Sequence, residues 1–215
     1  MPKNYTHIIW DWNGTLLNDV DWCFATINRL LATQQKPPLP SLAVYREVFG
    51  FPIIDYYRRA GFDLAAESYD SLAAKYIALY HGAGSESMGL FANAETVLQA
   101  VKASGRSQVI LSASSQENLF AQLAPFDIHG LFDEILGISD IFAKGKVEIG
   151  LDYIARNPVQ NGLFIGDTLH DFEVAQAMGI DCVLVAQGHH SRERLQVCGV
   201  PVLADLAEVW DYLSD

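Results

Sequence analysis

A chain of 215 residues, half of them hydrophobic and 19% charged, has the make-up of an ordinary globular protein and is long enough to bury a core without disulfide or metal staples. With 14 basic against 26 acidic side chains its net charge is −12, which excludes general attraction to nucleic acid or to an anionic membrane surface. Cys23, Cys182 and Cys198 form no Cys-x-x-Cys pair, no apolar run nears the ~18 residues that cross a bilayer, and the first residues lack signal-peptide features, so a reducing, cytoplasmic setting is expected.

Residues 7–12 read as a short buried strand, followed at once by the turn signal Asn13-Gly14. Val20, Phe24, Ile27 and Leu31 then recur at helical steps behind Asn18 and Asp19, which can cap the helix, and a Pro-rich stretch at 37–40 ends it. Residues 41–49, 52–60 and 65–80 predict three further helices, so the span 18–89 reads as all-helical. Beyond it the period changes. A helix at 96–103 precedes β-rich runs at 108–111, 134–137, 162–166, 182–185 and 201–203, with helices near 116–124, 146–156, 171–178, 191–197 and 205–213 between and after them. Apolar strands alternating with helices predict an α/β fold: a Rossmann-like parallel sheet covered on both faces, with the first strand in that sheet and an all-helical cap subdomain inserted behind it. The expected division is a core of residues 1–17 and 90–215 with a cap at 18–89.

An open parallel sheet places its active site at the carboxyl ends of its strands. There the sequence puts Asp11, Asn13, Gly14 and Thr15 after the first strand, Ser112, Ala113 and Ser114 after the second, and Asp167, His170 and Asp171 after the strand at 162–165, with Lys144 and Lys146 opening the helix before that strand. Acids, hydroxyls and a lysine at one edge suit a metal and phosphate site. Singly, each group has a structural reading: Asn-Gly as a hairpin turn, Ser114 with Glu117 as a capping box, Gly-Asp-Thr as a helix cap.

Together these residues resemble the haloacid dehalogenase-like hydrolase superfamily, in its phosphoglycolate phosphatase-like branch. Asp11, Trp12, Asn13, Gly14 and Thr15 match its first motif, Ser112 its second, Lys146 best its third with Lys144 as runner-up, and Gly166, Asp167 and Asp171 its fourth. The resemblance implies a Mg²⁺-dependent phosphatase in which Asp11 forms an aspartyl phosphate that water then cleaves. Asp11, the Asn13 carbonyl, Asp167 and Asp171 would hold the ion, while Ser112, Ala113, Lys146, Gly14 and Thr15 would bind phosphate. It further implies a monomer or homodimer acting on a small phosphorylated metabolite, with no nucleic-acid or membrane partner.

The departure is Asn13, where family phosphatases carry a second aspartate that protonates the leaving oxygen and then activates water. An amide does neither, and such help is worth about 10²–10⁴-fold in rate. Four readings compete. One is a slow phosphatase, or one whose leaving group needs little protonation, such as an acyl or aryl phosphate. A second is carbon–phosphorus cleavage through a cap lysine, disfavoured because Lys36 and Lys75 lie far from the segment around 48–53. A third is a non-catalytic phospho-ligand binding or regulatory module; a fourth is a dehalogenase, which Asp167 and Asp171 argue against. His170 is a candidate surrogate acid. Arg46, Arg58 and Arg59 are candidates to meet a substrate anion, and Phe49, Gly50, Phe51 and Pro52 a candidate cap loop. Tyr56, Tyr57, Tyr69, Tyr76 and Tyr80 read as cap packing, and His189 and His190 as an exposed loop.

Overall fold

The computed structural model of the protein describes residues 4–138 and 145–214; the runner-up Lys144 lies outside them. Strand β1 (His7–Trp10) is followed by β2 (Leu17–Asn18) and by four helices, α1 (Val20–Thr33), α2 (Leu42–Val48), α3 (Ile53–Ala60) and α4 (Tyr69–Tyr80). The chain returns through β3 (Gly89–Leu90) to α5 (Ala94–Ala103), β4 (Ser107–Ser115), α6 (Gln116–Leu123) and β5 (Glu134–Ile138). It continues through α7 (Lys146–Arg156), β6 (Gly162–Gly166), α8 (Leu169–Met178), β7 (Asp181–Val185), α9 (Arg192–Gln196), β8 (Val202–Leu203) and α10 (Leu206–Ser214).

Six strands form one parallel sheet in the order β5-β4-β1-β6-β7-β8. After His7, central β1 is apolar and fully buried, because both of its faces are covered. Ile8 and Trp10 pack with Val97, Leu98 and Val101 of α5 and Leu206 and Val209 of α10 on one side. Ile9 packs with Phe164 and with Val174, Ala175 and Met178 of α8 on the other. The alternation of side chains along a strand thus divides one apolar run between two cores. Helices α1–α4 build a third core of their own around Ile27, Leu30, Leu31, Tyr45, Tyr57 and Leu72. The chain passes to these helices and back on a two-residue antiparallel pair, Leu17 opposite Leu90 and Asn18 opposite Gly89. The fold is therefore the expected parallel α/β sheet with an inserted helical cap; the β2–β3 pair is an addition to the sequence expectation.

Because β1 pairs with β4 on one side and β6 on the other, the carboxyl ends of these three strands converge. The β4–β5 register shifts between Leu111 and Ser115. That irregularity turns the segment at 112–114 toward the same edge, as bulges beside functional sites do.

Candidate active site

Three buried carboxylates, Asp11 after β1 and Asp167 and Asp171 after β6, bring one oxygen each within 4.8 Å of one another. Lys146 enters from the first turn of α7, itself buried, and donates to Asp11 and, at 2.5 Å, to Asp171 Oδ1. The second oxygen of Asp171 accepts from the Asp167 and Thr168 amides and from the Thr168 hydroxyl, at 2.7–3.1 Å. Thr168, not Asp167, caps α8, in a reciprocal capping box with Asp171. The same carboxylate therefore fixes both a helix start and the lysine.

Asp167 is held by the Thr15 hydroxyl at 2.8 Å and by the His189 amide at 2.6 Å. The backbone crowds this carboxylate. Gly14 has φ of 78°, and a Cβ there would lie 2.4 Å from Asp167 Oδ2; one on Gly188 would lie 2.1 Å from it. Glycine is required at both points for close approach.

The charges in this pocket are strongly perturbed. Burial pushes the Asp11 carboxyl well up, against the opposing pull of Lys146, and the charges of Asp171 and Asp167 push it further. Burial likewise raises Asp167 to about 6, with His189 opposing and Asp171 adding to the rise. Burial would also raise Asp171, but Lys146 and Thr168 hold it below the usual carboxylate range. Burial alone would strip the Lys146 proton, yet Asp11 and Asp171 hold it above its ordinary value. One cation among three packed acids leaves negative charge that a hard divalent cation would neutralise, and the oxygen-only donor set suits such an ion.

A cavity of about 260 Å³ opens above these groups, between the sheet edge and the helical cap. Asp11, Asn13, Ser112, Ala113, Ser114, Lys146 and Asp171 face it from the core. Ser112 is buried, and its hydroxyl accepts from the Ser114 amide at 3.1 Å. Gly14 and Thr15 stand behind the wall, against Asp167. The Ser114 hydroxyl donates to Asn13 Oδ1 at 2.9 Å, and Ser115, with the Asn118 amide on its hydroxyl, is the true cap of α6. That replaces the expected Ser114–Glu117 capping box.

A second buried network adjoins the first. Asp19 stands at the start of α1 but makes no side-chain cap. Its Oδ2 instead accepts from Asn13 Nδ2 and the Tyr80 hydroxyl, each at 2.9 Å, and from the Cys23 thiol at 3.3 Å, while His189 Nε2 lies 3.2 Å from Oδ1. The other nitrogen of His189 meets the Tyr45 hydroxyl at 2.8 Å. Burial would raise Asp19, but His189 holds it below its ordinary value; burial would lower His189, but Asp19 pushes it up to about 9.

The expected exposed loop at His189 and His190 is thus corrected: the two side chains are 3% and 1% exposed. The His189 ring stacks on Phe49 at 4.6 Å, and the Arg46 guanidinium donates to the carbonyls of Gln187 and Gly188, so the cap seals this loop. His170 contacts Glu173 at 3.1 Å and packs against Phe51 at 4.6 Å, outside the cavity lining. Arg58 pairs with Asp55, and Arg59 donates to the Val48 carbonyl. Phe49 and Phe51 do line the cavity, as do Tyr56, Tyr57, Tyr76 and Tyr80, beyond the packing role expected of the tyrosines.

A family model described as haloacid dehalogenase-like hydrolase matches residues 8–185. The phosphoglycolate phosphatase of Pseudomonas putida is 26% identical over 85% of this chain and 70% of its own length. That of Psychrobacter arcticus is 22% identical over 96% of this chain and 94% of its own. Among solved structures, Protein Tyrosine Kinase A of Mycobacterium tuberculosis superposes with a TM-score of 0.83 at 23% identity, covering 99% of this chain and all of that one. That likeness carries the fold.

Proposed function

The chain belongs to the haloacid dehalogenase-like hydrolases, and from that premise we propose that it is a Mg²⁺-dependent phosphohydrolase acting on a small phosphorylated metabolite through an aspartyl phosphate. The observation that carries this reading is the Lys146 ammonium lodged between Asp11 and Asp171 at the floor of the cavity, with Asp167 beside them. The relatives named phosphoglycolate phosphatase support the reaction class.

Lys146 opposes the burial that pushes the Asp11 carboxyl up, and a bound cation would add to that pull toward the ionised nucleophile. An Asp11 oxygen attacks phosphorus, the bond to the leaving oxygen breaks, and water then cleaves the acyl phosphate and restores the carboxylate. Ser112, the Ala113 amide and Lys146 hold the phosphoryl oxygens. Gly14 and Thr15 shape the floor of the phosphate site through Asp167. Asp11, the Asn13 carbonyl, Asp167 and Asp171 are the groups to hold Mg²⁺, which when bound offsets repulsion between carboxylates and phosphate. Residues 18–89 act as the cap whose movement admits substrate and excludes bulk water. Three free thiols support a cytoplasmic setting, and among the described residues no helix is long and apolar enough to cross a membrane.

The test is Mg²⁺-dependent phosphate release from a panel of phosphate monoesters and acyl phosphates, beside Asp11→Asn as the blank. Turnover by wild type and none by the blank is the expected result, with a phosphorylated Asp11 peptide after rapid quenching. No turnover and no labelling would overturn the enzyme reading in favour of a phospho-ligand binding module, the alternative that Asn13 keeps in play.

A further inference from the structure

Resting on the phosphohydrolase reading, we propose that the substrate is an aryl phosphate monoester, its ring held against the aromatic cap wall and its leaving group a phenolate. Two independent features of the cavity point to this. The first is the absence of a proton donor at position 13. The Asn13 amide is fixed by Ser114, Asp19 and Tyr80 at 2.9–3.2 Å, so it neither rotates freely toward substrate nor supplies a proton. With no acid at this position, a leaving group that departs unprotonated is favoured. A phenol ionises near pH ~10, whereas an aliphatic alcohol ionises far higher, close to water; the difference is what a general acid ordinarily makes good.

The second feature is the wall opposite the carboxylates. Phe49, Phe51, Tyr56, Tyr57, Tyr76 and Tyr80 present rings to the cavity, and rings stack or meet edge-on with an aromatic guest. The Tyr56 hydroxyl is buried without a hydrogen-bond partner among the described residues, which leaves it for a polar substituent on that ring. Among the described residues no arginine, and no lysine other than Lys146, lines this cavity to meet a second anionic group. Arg46, Arg58 and Arg59 are committed to carbonyls of the loop at 187–188, to Asp55 and to Val48. Lys146 and His189 are engaged by Asp11, Asp171 and Asp19 on the core side. A compact dianion bearing its own carboxylate would therefore meet no arginine or lysine of the cap in this cavity, among the described residues.

The step balances without a further reactant. An Asp11 oxygen bonds to phosphorus as the phosphorus–aryl oxygen bond breaks, and the aryl oxygen leaves with the bonding pair and takes a proton from solvent. Water then adds to phosphorus as the bond between phosphorus and the Asp11 oxygen breaks, which restores the carboxylate, and the water proton passes to the released phosphate.

The discriminating pair is phenyl phosphate and benzyl phosphate, which share the ring but leave as phenolate and alkoxide; acetyl phosphate, with no ring and a good leaving group, is the third probe. For the wild-type protein with Mg²⁺, kcat for phenyl phosphate is expected to exceed that for benzyl phosphate about 100-fold or more, and Asn13→Asp to narrow that ratio about 10-fold or more. Phe51→Ala is expected to raise KM for phenyl phosphate by about 10-fold more than KM for acetyl phosphate. Equal kcat for phenyl and benzyl phosphate, or turnover of acetyl phosphate with none of phenyl phosphate, would overturn the aryl assignment while leaving the phosphohydrolase intact. Failure of all three, with Asp11 unlabelled, would instead remove the reading beneath it.

Discussion

Asn13 Nδ2 donates to Asp19 Oδ2 at 2.9 Å, while Asn13 Oδ1 accepts from the Ser114 hydroxyl at the same distance. The amide is thus used at both ends, and its donor faces a buried carboxylate. An aspartate at 13 would lose that donor and set one negative charge against another. Asn13→Asp should therefore destabilise the fold by about 1.5–3 kcal/mol, the scale of a lost hydrogen bond to a charged group. Combining it with Asp19→Asn should restore part of the loss. Urea denaturation of the two single variants and the double checks this; strictly additive costs would show that the pair does not interact.

Lys146 is the cation shared by Asp11 and Asp171, with its side chain 2% exposed. Lys146→Met should cost about 3–5 kcal/mol in metal-free protein, because it leaves two buried carboxylates without their partner. Adding Asp11→Asn should recover part of that, since one of the stranded charges is removed. Equilibrium unfolding with a chelator present makes the comparison, and an unchanged midpoint for Lys146→Met would refute it.

Removing the Asp167 charge should have opposite effects with and without Mg²⁺. Burial already lifts this carboxyl to about 6, so its ionised form is disfavoured in the folded state and Asp167→Asn should not lower the melting temperature of metal-free protein. Wild type should gain about 2.7 kcal/mol at Mg²⁺ a hundredfold above its Kd, and Asp167→Asn should gain almost none. Melting curves across a Mg²⁺ series test it; an equal gain in both proteins would contradict the assignment.

His190 gives a pH dependence of defined sign. Its Nδ1 accepts from the Leu169 amide in the first turn of α8 at 3.1 Å, and burial, then the nearby Arg194 charge, lowers it to about 3. The unfolded chain takes up this proton near pH ~6.5. The stabilisation is therefore complete above that value and is lost progressively as pH falls toward 3, by up to about 1.4 kcal/mol per unit. His190→Asn, which keeps an acceptor and cannot titrate there, should show a shallower loss between pH 6.5 and 4. Coincident slopes for the two proteins would reject the assignment.

The sheet was legible because β1 and β6 are short, continuous apolar runs bounded by turn residues. Their ends carry Asp11, Asp167 and Asp171, so position along the strand predicts convergence at one edge. What the sequence hid depends on contacts between distant segments. His189 and His190 have no periodic neighbours and read as solvent-facing, yet Phe49, Tyr45 and Arg46 of the cap close over them. Asp19 has the local signature of a helix cap, but Asn13, Tyr80 and His189 outbid the helix amides for its oxygens. Ser114, with Glu117 three residues on, has the local signature of the α6 cap, yet its hydroxyl goes to Asn13 across the irregular end of β4 and Ser115 caps the helix. The two-residue strands β2 and β3 are too short to carry a pattern at all.

Those two strands have a further consequence. The pairing of Leu17 with Leu90 and Asn18 with Gly89 sets the departure and the return of the chain side by side, at a spacing of about 4.8 Å. To the sheet, the four helices between them are equivalent to a single tight turn. The seam can receive a graft of different length or shape without stretching a core connection, so recognition can be refashioned by splicing while the catalytic floor keeps its strand pairing.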